Sequence, residues 1–98
     1  MTIKYTSSFL ASLKKAHVTT RRQVKKRMLR FAKNPNDPQL HNHSLKREYE
    51  GYYSVNITSD YRAIYKKGEK VDNERVVYFT SLGTHKELYR SEKKNREK

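Results

Sequence analysis

The chain lacks cysteine and tryptophan altogether, has no acidic residue from Met1 to Asn36, and contains no long apolar run. Each absence closes a class of explanation. Without Cys, disulfide-stapled scaffolds and thiolate metal sites are excluded. No segment approaches the roughly 18 consecutive apolar residues of a membrane-spanning helix. The N-terminus MTIKYTSSFL also lacks the apolar stretch of a secretory signal. A soluble cytoplasmic protein with no membrane partner is therefore the expectation. A chain of 98 residues is expected to build one small domain, and only 34% of its positions are apolar, the same share as the charged ones, so the core is thin. Eight Tyr and three Phe must supply much of the core volume in place of Trp. Their spread along the chain argues against disorder.

What is present in excess is positive charge. Lys and Arg number 23 against 10 Asp and Glu, a formal net charge of +13 with a pI near 10.1. Ten of these cations precede the first carboxylate: Lys4, Lys14, Lys15, Arg21, Arg22, Lys25, Lys26, Arg27, Arg30 and Lys33. Such residues ordinarily solvate the outer faces of helices, where a Glu one turn away offsets them. No Glu is available here, so neighbouring cations repel. A polyanion, either nucleic acid or an acidic protein surface, is the natural counterpart.

Periodicity divides the chain in two. Residues 3–5 read as a short opening strand. Ser7 and Ser8 stand where a helix N-cap belongs, ahead of Phe9, Leu10, Leu13 and Ala16 at helical spacing. Thr19 and Thr20 offer a second cap. After them Val24, Met28, Phe31 and Ala32 form an apolar stripe opposite Arg21, Arg22, Lys25, Lys26 and Arg30. The run Asn34-Pro35-Asn36-Asp37-Pro38 stops that helix, because proline lacks an amide donor and biases its predecessor out of the helical region. The period then changes to two. Tyr53, Val55 and Ile57 alternate with Ser54, Asn56 and Thr58, as in a half-buried strand. Ser59-Asp60 turns the chain into a strand over residues 61–66, and a polar loop leads to a third strand over 76–82. Thr84 is a cap for a helix over 84–90, with Glu87 as its capping-box partner. Residues 91–98 form a basic polar tail without apolar side chains. The predicted fold is a single α+β domain over residues 1–90. An N-terminal helical hairpin packs on one face of a small, mainly antiparallel β-sheet, a short C-terminal helix follows, and the other sheet face is partly open to a ligand.

The candidate chemistry lies in His41, His43 and His85. A zinc site would need all three and a distant carboxylate, with no H-E-x-x-H helix to build on, so neither metal nor cofactor is called for. Imidazole titrates near neutrality, which suits general acid–base work. Metal-free RNA cleavage needs a base for the 2′-hydroxyl, an acid for the departing 5′-oxygen, and cations on the developing phosphorane charge. All three residue types are present, although composition does not say that they converge. Lys46, Arg47, Lys86 and Arg90 flank two of the histidines and would reach backbone phosphates.

The order of these residues resembles a known family. His43-Ser44-Leu45, then Gly51, then the run from Val55 through Asn56, Asp60, Tyr61 and Arg62 to Tyr65, and the ending Leu82-Gly83-Thr84-His85-Lys86-Glu87-Leu88-Tyr89 resemble the RelE/ParE toxin superfamily. The similarity is to its YafQ-like branch, the messenger-RNA endonucleases of type II toxin–antitoxin modules. It spans residues 1–90 in element order, and its specific part is 43–89. The resemblance implies that His43 is the first active-site histidine, Asp60 the carboxylate, Tyr61 the aromatic that follows it, His85 the histidine before the last helix, and Tyr89 the closing aromatic. Arg62 falls on the phosphate-stabilising arginine of the RelE branch. Asn56 stands where the YafQ-like pattern has a further histidine; an amide cannot take up a proton at neutral pH, so hydrogen bonding to RNA is what remains to it. Taken singly, each residue has an ordinary alternative. Asp60 can make an Asx-turn, Tyr61 can be core, Arg62 can pair with Glu48 or Glu50, Tyr89 can anchor a helix, and the lysines and arginines can be solvated surface charges.

The resemblance implies a toxin that cleaves messenger RNA without metal or cofactor on the translating ribosome. Its partners would be mRNA, the ribosome and a cognate acidic antitoxin, with DNA met only through the antitoxin. Two other classes stay open: a ParE-like inhibitor of DNA gyrase, which would have no need of His43 and His85, and a plain RNA-binding basic domain.

Overall fold

A computed structural model gives the fold and describes residues 1–88. Tyr89, Arg90 and the tail over residues 91–98 lie outside the described residues. The chain runs through strand β1 (Thr2–Tyr5), helices α1 (Ser7–Lys15) and α2 (Val18–Lys33), a 3-10 turn at Pro38–Leu40, and strand β2 (His43–Ser44). A second 3-10 turn at Arg47–Tyr49 follows, then β3 (Tyr52–Asn56), β4 (Tyr61–Lys67) and β5 (Val76–Thr84). Residues 85–88 form a helical turn. The sheet order is β1-β5-β4-β3-β2. β2 to β5 pair antiparallel in sequence order, and β1 closes the other edge parallel to β5. The α+β architecture is as predicted, with β2 added. A strand of two residues is too short to carry a readable period.

Both helices start earlier than the sequence suggests. Thr6, not Ser7 or Ser8, caps α1: its amide is held by the Phe79 carbonyl at 3.0 Å, which keeps it extended, and its side-chain oxygen accepts from the Phe9 amide at 3.2 Å. α2 is capped by His17 in place of Thr19 or Thr20, with Nδ1 accepting from the Thr19 amide at 3.2 Å. Consecutive hydroxyl residues can each cap, and the strand or turn that precedes them decides which residue is left extended.

The core explains the arrangement. Phe9 of α1 and Phe31 of α2 both meet Phe79 of β5, with ring centroids 5.8 and 5.3 Å away, so the two helices lie on one face of the sheet. Val24, Met28 and Phe31 are buried at helical spacing, in one cluster with Val55, Ala63, Tyr65, Val77, Phe79 and Leu82 of the strands and with Ile57 just past the end of β3. Each large side chain buried in this way contributes about 1.5–3 kcal/mol.

Several arginines of the acid-free segment are tied to the fold by hydrogen bonds. Arg21 Nη1 donates to the Ala16 carbonyl at 2.7 Å, closing the end of α1, and Arg27 Nε donates to the Ile57 carbonyl at 3.1 Å, tying α2 to the end of β3. Arg30 pairs with Asp37 at 3.3 Å. Arg21 and Arg30 stay exposed while making these bonds, so the outward charge rests on them, on Arg22 and on the lysines. One irregularity interrupts the strands. Ile64 faces Ser81 and Tyr65 faces Phe79, so Thr80 is an extra residue in β5. This bulge lets Phe79 and Leu82, three residues apart, both face the core.

Candidate active site

Strand alternation sends every second side chain to the face that the helices leave uncovered. Register then groups them into rows. His43 of β2 faces Ser54 of β3, which faces Ile64 of β4, which faces Ser81 of β5. The next row, about 7 Å along the strands, runs from Asn56 through Arg62 to Gly83. His85 follows directly on the end of β5. Its amide donates to the Asp60 carbonyl at 2.9 Å, while Thr84 Oγ1 accepts from the Glu87 amide at 3.1 Å and caps the turn. The turn packs back on Gly83, where a β-carbon would meet Leu88 Cγ at 3.6 Å, an ordinary van der Waals contact.

These rows border an open cleft of about 630 Å³. Its lining includes three imidazoles, His41, His43 and His85, and three fixed cations, Lys46, Arg47 and Arg62, with Leu45, Ile64 and Leu88 as apolar surface. No described lining residue is acidic. Such a site attracts an anion and holds groups that exchange protons.

The side chains are held by backbone groups. Arg62 Nη1 donates to the carbonyls of Thr58 at 2.9 Å, Tyr61 at 3.0 Å and Ser59 at 3.2 Å, so its guanidinium is anchored on the β3–β4 turn and not on Glu48 or Glu50. His43 Nδ1 lies 2.9 Å from the His41 carbonyl, and the two rings are 5.1 Å apart. Asn56 Oδ1 is buried with no hydrogen-bond partner among the described residues. An acceptor left in that state costs about 1–3 kcal/mol, and a donor brought by a ligand would relieve it.

The structure thus brings His43, Lys46, Arg47, Asn56, Arg62 and His85 to one cleft. Asp60 lies at its edge, exposed, and contributes its main chain: the amide donates to Thr58 Oγ1 at 3.2 Å, and the carbonyl holds His85. The turn is built on the Thr58 hydroxyl, which also accepts from the Tyr61 amide at 3.0 Å, and not on the Asp60 carboxylate. Tyr61 is on the other face, packed against the core cluster. Lys86 is exposed outside the cleft lining. Sequence reasoning missed Ser54 and Ile64 as cleft residues, although the polar phase of the β3 alternation pointed to the first. It named His41 without seating it in the cleft, because the turn it closes after Pro38–Leu40 has no period to read.

Among the described residues no helix is long and apolar enough to cross a membrane. The family model described as bacterial toxin of type II toxin–antitoxin system, YafQ, matches residues 1–90. No curated protein sequence matches. Among solved structures, the fold is similar to the YoeB/ParE toxin from Agrobacterium tumefaciens at a TM-score of 0.71 and 16% identity, covering 87% of this chain and 99% of that one. It is similar to YafQ from E. coli strain BL21(DE3) at a TM-score of 0.70 and 24% identity, covering 89% and 96%. The E. coli DinJ–YafQ complex gives 0.56 and 23%, again covering 89% and 96%. Identities this low speak for the shared fold.

Proposed function

The chain belongs to the YafQ family of bacterial type II toxins, and from that premise we propose that it is an endoribonuclease cutting messenger RNA in the cleft on the open sheet face. The observation that carries this reading is the meeting of His43, His85 and Arg62 in a cleft with no described acidic lining. An RNA strand entering it supplies its own nucleophile. One imidazole takes the proton of the 2′-hydroxyl, the 2′-oxygen bonds to the adjacent phosphorus, the bond to the 5′-oxygen breaks, and the other imidazole protonates that oxygen. The products are a 2′,3′-cyclic phosphate and a 5′-hydroxyl. Nη1 of Arg62 is anchored on the turn, and its other nitrogens make no hydrogen bond among the described residues, so they are placed to meet the phosphorane charge. Lys46 and Arg47 hold flanking phosphates.

Primer extension on messenger RNA after brief expression tests this. New 5′ ends are expected with the wild-type protein and a loss of about 10²-fold or more with His85→Ala. Unchanged cleavage by a well-folded His85→Ala protein would overturn the reading. EDTA is expected to leave the activity intact, and inhibition reversed by Mg²⁺ would count against the mechanism.

The partner follows from the second concavity. A groove of about 530 Å³ between β1, α1 and α2 is lined by Ile3, Tyr5, Leu13, Val24 and Met28 with Arg21 and Lys25 beside them. Leu10 and Leu29, 49% and 61% exposed, extend its apolar surface. Because E. coli YafQ occurs in a complex with DinJ, this groove is read as the seat of an amphipathic, acidic antitoxin segment. Complex formation should weaken as salt rises; affinity indifferent to salt would sink the assignment. The ribosome is the expected place of cleavage, approached by the outward lysines of α2.

A further inference from the structure

Three consecutive residues at the mouth of the cleft are specified more tightly than a loop requires. Asn42 separates His41 from His43 in the chain, and its side chain is held from both ends. Its Oδ1 accepts from the Tyr65 hydroxyl at 3.0 Å, and its Nδ2 donates to the Pro35 carbonyl at 3.0 Å. The first bond reaches into the core, where Tyr65 is 2% exposed, and the second reaches the loop that ends α2. His41 closes the Pro38–Leu40 turn with φ 47° and ψ 46°, and its amide donates to the Pro38 carbonyl at 3.2 Å. That left-handed conformation is uncommon for a residue with a β-carbon. It is the conformation in which the His41 carbonyl meets His43 Nδ1 at 2.9 Å. A carbonyl oxygen can only accept, so the contact requires the proton on Nδ1. In the neutral ring Nε2 then carries the lone pair.

We propose that His41 is a positioning residue acting through its main chain. Its left-handed carbonyl holds His43 as the Nδ1–H tautomer and leaves Nε2 free to accept a proton, and Asn42 is the clamp that keeps the turn in place. The proposal rests on the reading of the cleft as an RNA-cleaving centre, and it assigns His43 the base's part there: the 2′-hydroxyl proton passes to Nε2, making an imidazolium whose Nδ1–H stays on the His41 carbonyl. The His41 ring is dispensable on this view, and its backbone is not. Glycine tolerates φ near 47°, whereas a β-branched residue resists it.

The test combines a spectroscopic and a kinetic readout on the full chain. Long-range ¹H–¹⁵N correlation of the histidine side chains, recorded above the imidazole titration range, is expected to show His43 protonated at Nδ1 and bare at Nε2. His41→Gly should keep that pattern and cleave RNA within about threefold of wild type, while His41→Val should give mixed tautomers and lower kcat about tenfold or more with RNA affinity unchanged. Wild-type His43 protonated at Nε2 overturns the proposal. So does His41→Gly losing as much activity as His43→Ala, which would put the work in the ring. The expected tautomer in a protein that cuts no RNA supports the positioning role and overturns only the cleavage reading. Circular dichroism of both variants separates a lost tautomer from a lost fold.

Discussion

The two faces of one sheet follow different rules. On the helix-covered face, Tyr65, Phe79 and Ala63 are fixed by contact with Phe9, Phe31 and their neighbours, and position follows from packing. On the open face, Arg62, His43 and His85 are fixed by main-chain hydrogen bonds to turns, with solvent on the other side. The same strands serve both, so residue parity along β4 separates folding from chemistry: 61, 63 and 65 stabilise, 62 and 64 line the cleft. The separation has one bridge. Tyr65, a core residue, reaches Asn42 and so steadies the segment that carries His43.

Three substitutions would break or sharpen that division. Phe79→Ala removes the ring that both helices share and should destabilise the fold by about 3–5 kcal/mol, a large part of the stability of a small domain. Urea denaturation measures this, and cleavage should fall only in proportion to the unfolded fraction. Arg62→Gln belongs to the other side. Its kcat should drop about 10²-fold, while the melting temperature falls by roughly 5 °C or less, because the turn carbonyls it leaves can turn to water. A loss of stability equal to that of Phe79→Ala would erase the distinction between the faces. The smallest effect is on pH. The Gln39 amide holds the Asp37 carboxyl below its ordinary range, opposed next by burial, while Arg30 and then Arg27 add smaller pulls in the same downward direction. A lowered carboxylate pKa adds stability that is present above the unfolded value and lost as the pH falls through the folded one. Asp37→Asn should therefore lower stability slightly at neutral pH, by a difference that shrinks to nothing as the pH falls through the carboxylate range, as thermal melts from neutral to acid pH would show.

The fold was largely legible. Helical spacing in Val24, Met28 and Phe31 and alternation in Tyr53, Val55 and Ile57 each reflect burial against one neighbour, and burial is what residue type records. Convergence was not legible in the same way. Arg62 and His43 are 19 positions apart in the chain, and only strand register, a product of pairing, sets them around one cleft. The motif resemblance supplied what periodicity could not, by pointing to His43, Arg62 and His85 together. It carried less for Asp60 and Tyr61, because matching positions do not say which face a residue takes or whether its side chain or its main chain is used. The Thr58 turn, the His17 cap and the place of His41 depend on backbone geometry to which many sequences could lead.

The extra residue at Thr80 has a consequence for how the gene can change. Period two makes a strand intolerant of losing a codon, since every later side chain would swap sides. β5 holds one residue of slack. Losing Thr80 would leave Ser81 alone opposite Ile64 and restore plain alternation, with Leu82 still inward and Gly83 still outward, so the reading frame of the sheet survives that one deletion. Length, which strands usually guard more strictly than identity, is here negotiable at a single point beside the cleft.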